Sequence, residues 1–167
     1  MADTYTLISS VTVGAGGASS IDFTSIPATY TDLKLVGSIR TNTAQTDNSM
    51  DINFNSSATS FSARFLYGSG SAAASSTGST IILQADGGAA TSNTFSNFEI
   101  YIPNYAGSTN KSYSNDAVTE NNATAAIAGL LAGLWSNTAA ITSVSVKAST
   151  GTFVQYSTAY LYGIKNS

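Results

Sequence analysis

Short segments in which apolar and polar residues alternate recur along this chain, and they constrain its fold more than any other feature. In Leu33–Arg40 the odd positions are Leu, Leu, Gly and Ile, whereas the even positions include Lys34 and Arg40. Successive side chains of a strand point to opposite faces of its sheet, so this pattern predicts a strand with one buried face. The preceding run, Ile21–Ile26, predicts another strand, which ends before Pro27 because proline cannot donate to a sheet ladder.

The same reasoning predicts about ten strands along the chain. They are Thr6–Val13, Ile21–Ile26, Leu33–Arg40, Met50–Asn55, Phe61–Tyr67, Thr80–Ala85, Thr94–Asn104, Lys111–Glu120, Ile141–Ala148 and Val154–Lys165. In the first of these, the alternation predicts one face made of Leu7, Ser9, Val11 and Val13. Gly68–Ser79 contains only Gly, Ser, Ala and Thr, and this composition predicts a flexible loop.

One segment, Ala123–Leu134, fits two structures. Its larger apolar residues have helical spacing at Ile127, Leu130, Leu131 and Leu134. Two glycines interrupt that pattern, and each disfavours a helix by about 1 kcal/mol relative to Ala. Helix and strand therefore both stay open for this segment.

Alternating strands without intervening helices favour an all-β fold over a parallel α/β sheet. An antiparallel set of this size commonly closes as two packed sheets. The chain is therefore predicted to form a single β-sandwich domain over residues 1–167, jelly-roll-like and antiparallel, with at most one short helix.

Charge is scarce in this sequence. Asp, Glu, Lys and Arg make up 9% of the residues, and the net charge is −3, whereas an ordinary soluble domain has roughly 25% charged residues. A surface with so little charge does little to keep copies apart, which favours a role inside an assembly. The six basic residues form no cluster that could neutralise phosphates, so nucleic acid is not an expected partner.

The chain has no His and no Cys. Ser-His-Asp and Cys-His catalysis and imidazole or thiolate zinc sites are therefore excluded, and no cofactor is expected. The longest weakly apolar stretch is about a dozen residues, whereas a membrane-spanning helix needs roughly 20, so no membrane is expected either.

Oxygen-bearing side chains leave two kinds of site open. Asp116 and Glu120 are four residues apart, so on a strand they would share a face and could flank a sugar; a solvated loop edge is the alternative. Asp47-Asn48-Ser49-Xaa-Asp51 and Asn115-Asp116 could supply oxygens to calcium, although ordinary Asx turns also explain both groups.

Aromatic residues offer a different kind of site, because a ring can stack on the apolar face of a sugar. The candidates are Trp135 and the tyrosines of the last predicted strand, Tyr156, Tyr160 and Tyr162. The alternatives are that Trp135 belongs to the core and that the tyrosines pack across strands. An exposed tyrosine face would also suit an interface with a partner protein.

The two ends of the chain resemble a known family. The run YTLISSVTVGAGGASSIDFTSIPATYTDLKLVGSIRT, Tyr5–Thr41, resembles the N-terminal signature of small virion proteins of marine tailed bacteriophages. The closing STAYLYGIKNS, Ser157–Ser167, is similar to the C-terminal strand of the same proteins. The two segments cover under a third of the chain.

This resemblance implies a jelly-roll β-sandwich on the virion, as a capsid decoration (cement) protein or as a tail or fibre module. The expected partners are the major capsid protein or other virion proteins, with copies arranged as a homo-oligomer or on a lattice. The first expectation is a non-enzymatic decoration protein that stabilises the outer capsid surface. The alternatives are a glycan-binding module of a tail or fibre, using Trp135 or the tyrosines, and a polysaccharide-cleaving enzyme using Asp116 and Glu120.

Overall fold

A computed structural model describes residues 4–122 and 126–165 of the chain. These residues form twelve β-strands and no helix, which confirms the all-β prediction. Each of the ten predicted strands overlaps an observed one. The strands are β1 (Tyr5–Thr12), β2 (Ser20–Phe23), β3 (Asp32–Ile39), β4 (Asp47–Phe54), β5 (Phe61–Gly68), β6 (Ala73–Gly78), β7 (Ile81–Asp86), β8 (Ser96–Ile102), β9 (Lys111–Val118), β10 (Ala128–Trp135), β11 (Val144–Ala148) and β12 (Thr158–Ile164).

The strands form two antiparallel sheets that pack face to face. The larger sheet has the order β1-β12-β3-β8-β9-β10-β5-β6, and the smaller has the order β2-β11-β4-β7. One hydrophobic core lies between them, to which the larger sheet contributes Leu35 and Ile100 and the smaller sheet Ile52 and Val146, all fully buried. The predicted two-sheet sandwich is therefore confirmed.

The sheet order is that of a jelly roll with two inserted hairpins. Without β5, β6, β9 and β10, the sheets are β1-β12-β3-β8 and β2-β11-β4-β7, the arrangement of an eight-stranded jelly roll. The hairpin β5–β6 follows β4 in the chain, and the hairpin β9–β10 follows β8. Both hairpins extend the larger sheet beyond β8, so one half of that sheet consists of jelly-roll strands and the other half of inserted strands.

The first strand contains a β-bulge that changes the predicted face of Leu7. Leu7 is paired with Tyr162, but the next paired residue is Ser9, opposite Leu161, so Ile8 is the extra residue. Leu7 points outward and is 50% exposed, whereas Ile8 and Val11 pack against the core. The prediction that Leu7 shares a face with Val11 is wrong, because the bulge reverses the alternation.

Strands also form in the segment predicted to be a loop and in the segment for which helix and strand were both open. Residues 68–79, predicted to be a flexible loop, contain the end of β5 and all of β6, so that prediction is wrong for Gly68 and for residues 73–78. Their small side chains give no periodic signal, but backbone hydrogen bonding to β5 requires none. Within residues 123–134, residues 123–125 lie outside the described part, and the strand β10 begins at Ala128. This strand pairs with β9 on one side and with β5 on the other.

Asn55 joins the end of β4 to the loop that precedes β11. Its Oδ1 accepts hydrogen bonds from the backbone N–H groups of Thr142 (2.8 Å) and Ser143 (3.2 Å), and its Nδ2 donates to the Ala140 carbonyl (2.8 Å). The backbone of Asn55 is left-handed, with φ of 51°, a conformation that Asn tolerates better than most residues.

We expect the substitution Asn55→Ala to lower the free energy of unfolding by about 2 kcal/mol, because several loop hydrogen bonds lose their partner. Asn93→Ala is the matched control, since Asn93 has a similar φ of 64° but its side chain makes no hydrogen bond in the described structure. Urea denaturation of both variants measures the difference. If both variants lose the same free energy of unfolding, the hydrogen bonds of Asn55 are not the cause of its loss.

Candidate interaction surface

The face of the eight-stranded sheet that points away from the core is called the outer face. Among the described residues, eight large hydrophobic side chains are exposed, and seven of them lie on this face. The seven are Tyr5, Leu7, Leu66, Tyr101, Val118, Leu130 and Tyr160. Single exposed apolar residues are normal on any surface, but their concentration on one sheet face indicates an interaction site.

One half of the outer face is rich in tyrosine and lies on the jelly-roll strands. Leu7, Tyr162, Lys34 and Tyr101 are neighbours in register across β1, β12, β3 and β8. Tyr160 and Tyr5 lie in the rows on either side. The name tyrosine patch is used for Tyr5, Leu7, Tyr101, Tyr160 and Tyr162.

Two pairs of polar groups among these tyrosines bind each other. Lys34 Nζ lies 2.8 Å from Glu99 Oε1 and 5.7 Å from the centre of the Tyr5 ring. The hydrogen bond to Glu99 raises the pKa of Lys34, so the amine stays charged. The Tyr101 hydroxyl donates to Asp32 Oδ2 at 2.8 Å, and this bond raises the pKa of Tyr101. Lys34, Glu99, Tyr101 and Asp32 therefore already have partners within the outer face, which lowers the cost of burying them on binding.

The other half of the outer face is aliphatic and lies on the inserted strands. The name aliphatic patch is used for Leu66, Val118, Ala128, Leu130 and Ala132. Leu66 and Leu130 are direct partners in register and are 55% and 62% exposed. Both line two shallow depressions, of about 640 and 450 Å³, so they form a ridge with a depression on each side.

The structure separates the four aromatic residues proposed as a platform. Trp135 is 1% exposed, with its ring 5.6 Å from that of Phe54 and 6.1 Å from that of Phe61, measured between centroids. An exposed sugar platform at Trp135 is therefore wrong. Tyr156 precedes β12, has a φ of 73° and is 69% exposed, so the prediction that it shares a strand with Tyr160 and Tyr162 is also wrong. Tyr160 and Tyr162 do lie together on the outer face.

The predicted carboxylate pair does not share a cleft. Asp116 lies on the outer face of β9 and lines both depressions beside the leucine ridge. Glu120 follows the strand and lines a separate, smaller depression of about 150 Å³. Its Oε1 accepts a hydrogen bond from the Asn122 N–H at 2.9 Å. These positions do not place two carboxyl groups on either side of one sugar.

Two of the residues considered for calcium, Asn48 and Asp51, direct their side-chain oxygens to other parts of the protein. Asn48 is buried, and its Oδ1 accepts a hydrogen bond from Thr150 Oγ1 at 3.1 Å. The two oxygens of Asp51 accept hydrogen bonds from Thr80 Oγ1 and Ser149 Oγ, each at 2.8 Å. Both residues lie within β4, so the prediction of Asx turns is wrong there. Across residues 4–122 and 126–165, no group of three or more Asp or Glu residues is placed to hold a metal ion.

Comparison of the sequence with models of protein families found no match, and comparison with curated proteins found none. In the described part of the chain, no helix has the length and apolar character needed to cross a bilayer.

Sequence reasoning missed the aliphatic patch. Its signal was the apolar residue Leu66 at an outward position of Phe61–Tyr67, where the alternation predicts a polar side chain. Leu130 gave no comparable signal, because its segment fitted a helix as well as a strand. Only the pairing of β5 with β10 brings the two leucines together.

Proposed function

We propose that this chain is a structural protein of a phage virion that binds the outer surface of the capsid through the tyrosine patch and stabilises the particle. The observation that carries this proposal is the concentration of exposed tyrosine and leucine side chains on one ordered sheet face. Tyrosine is enriched at protein interfaces because its ring buries apolar area while its hydroxyl group keeps a polar contact.

Two further features support a role on a repeating surface. Only 9% of the residues are charged, which limits repulsion between copies packed side by side. A capsid also offers many identical sites, so modest contacts per copy suffice for stable attachment if copies act together. The resemblance of both chain ends to virion proteins is consistent with this role.

We expect purified protein to bind capsids that have been stripped of it and to raise their melting temperature. Tyr160→Ala should weaken binding roughly 10- to 100-fold, as loss of an interface hot spot does. Tyr156→Ala is the matched control, because it removes an exposed tyrosine that lies outside the outer face. Calorimetry of the capsids and a co-sedimentation titration measure both effects.

No change in capsid melting temperature at saturating protein would contradict the proposal. Equal losses of capsid affinity in Tyr160→Ala and Tyr156→Ala would also contradict it. Binding of a multivalent form of the protein to a glycan array, abolished by Tyr160→Ala, would assign the tyrosine patch to a sugar instead. Circular dichroism of each variant verifies that the fold is retained.

A further inference from the structure

We propose that the aliphatic patch is an interface between two copies of this chain, related by a two-fold axis and joined through their inserted strands. This contact is separate from the capsid contact proposed for the tyrosine patch, because the two patches lie on different strands of the outer face. The proposal rests on the shape, charge and location of the aliphatic patch.

The shape of the patch suits a second copy of itself. A two-fold interface brings the same surface together from both copies, so the surface must be complementary to itself. The ridge of Leu66 and Leu130 stands between two depressions that both leucines line. One copy thus offers an apolar projection and also a depression of matching character beside it. Both leucines are more than half exposed, so pairing would remove a large apolar area from water.

The charged residues beside the ridge are of opposite sign, so two copies of this surface could pair them. Arg64 and Asp116 both line the larger depression, on β5 and β9. The Arg64 Nη1 donates to the neighbouring Ala63 carbonyl at 3.0 Å, and no described carboxylate pairs with the guanidinium. The Asp116 carboxylate has no hydrogen bond or ion pair with a described residue, although its charge contributes to the raised pKa of Lys34.

Opposite charges on the two sides of an apolar centre favour a copy of the same surface over other partners. In a two-fold pair, Arg64 of each copy can meet Asp116 of the other, so both charges gain a partner. A uniformly acidic partner would repel Asp116, and a uniformly basic partner would repel Arg64. Like charges in contact at an interface are costly, so such partners are disfavoured.

The location of the patch points to a separate contact surface. Every member of the patch and both charged residues lie on β5, β9 or β10, strands that the eight-stranded jelly roll does not require. The four inserted strands cover an area of roughly 20 by 25 Å at ordinary strand spacing. A flat area of about 500 Å² is smaller than the roughly 800 Å² per partner of a standard interface. We therefore expect a weak dimer, which forms at high protein concentration.

Sedimentation velocity of the full chain over roughly 10 µM to 1 mM tests the proposal. We expect a shift from monomer to dimer over this range. Arg64→Asp and Asp116→Arg should each raise the dissociation constant at least tenfold, because each creates two like-charged contacts. The double variant should return the constant to within about threefold of the original value, because it exchanges the charges and restores both pairs. Tyr160→Ala should leave it unchanged.

A chain that stays monomeric up to about 1 mM would overturn the proposal, and so would a double variant no better than the single ones. Leu130→Ser should also abolish the dimer, and unchanged dimerisation in that variant would place the contact elsewhere. If Leu130→Ser instead weakens capsid binding by a monomeric protein, the aliphatic patch belongs to the capsid contact and the dimer is refuted. Thermal melting of each variant separates loss of association from loss of fold.

Discussion

Replacing Trp135 with Ala is expected to lower the free energy of unfolding by about 3–5 kcal/mol, the range for large aromatic residues removed from a core. Trp135 is 1% exposed, and its ring packs against those of Phe54 in the smaller sheet and Phe61 in the larger sheet. Its removal leaves a cavity at the place where an inserted hairpin meets the jelly roll. Urea denaturation followed by circular dichroism measures the loss.

Two variants make this expectation specific. Trp135→Phe should cost clearly less than Trp135→Ala, because it keeps an aromatic ring and removes Nε1, a buried donor with no partner among the described residues. Tyr156→Ala should change stability by less than about 0.5 kcal/mol, since that ring is exposed. A Trp135→Ala protein as stable as the Tyr156→Ala protein would refute the core position of Trp135.

The second large effect is expected from Gly133→Ala, which should destabilise the protein by about 1–3 kcal/mol through overpacking. Gly133 lies opposite Tyr113 in register, and a Cβ built at Gly133 would overlap the ring of Tyr113. That ring cannot move away freely, because it is buried deeply enough to raise the pKa of Tyr113 to about 12.

Gly16→Ala is the control for this substitution. A Cβ at Gly16 would meet nothing within 4 Å, and its φ does not lie in the left-handed region. We therefore expect little change there, or a slight gain from the reduced freedom of the unfolded chain. Thermal unfolding of both variants compares the two sites. If both variants unfold at the same temperature as the original chain, the ring of Tyr113 does not occupy the space beside Gly133.

The strands were predictable because one buried face imposes period two on the sequence. Ile100 and Ile102 in β8 follow this rule and are fully buried. The rule fails where side chains carry no pattern, as in β6, and where a bulge shifts the pattern, as at Ile8. Periodicity also carries no information on the order of the strands in a sheet, so the two inserted hairpins could not be predicted.

Glycines and charges show a second limit of sequence reasoning. In the sequence, Gly37 interrupts the apolar face of its strand. In the structure, the ring of Phe98 on the neighbouring strand fills the space that a side chain at Gly37 would occupy. Arg40 follows a strand on its polar side, but it is 8% exposed because its guanidinium donates to the carbonyls of Thr91 (2.8 Å) and Ala90 (3.0 Å). These partners are about fifty residues away, and local periodicity carries no information on such contacts.

The candidate surface was predictable only in part. Tyr160 and Tyr162 were identified because they recur at period two in a strand that could be located. Trp135 could not be assigned to the core or to the surface, since it lies in no predicted strand and the segment before it fitted two structures. The aliphatic patch depends on the pairing of strands far apart in sequence, so no single segment indicates it.

The two inserted hairpins have a consequence for how this protein can diverge. They lengthen two connections of the jelly roll while the eight original strands keep their neighbours, apart from the new pairing of β8 with β9. Outward-facing residues of the hairpins can therefore mutate without disturbing the tyrosine patch, so that the two surfaces can acquire different partners in related chains. The core-facing residues of the hairpins are more constrained. Phe54 of the jelly roll contacts Tyr113 and Trp135 of the inserted strands, so a substitution at any of the three affects both parts of the core.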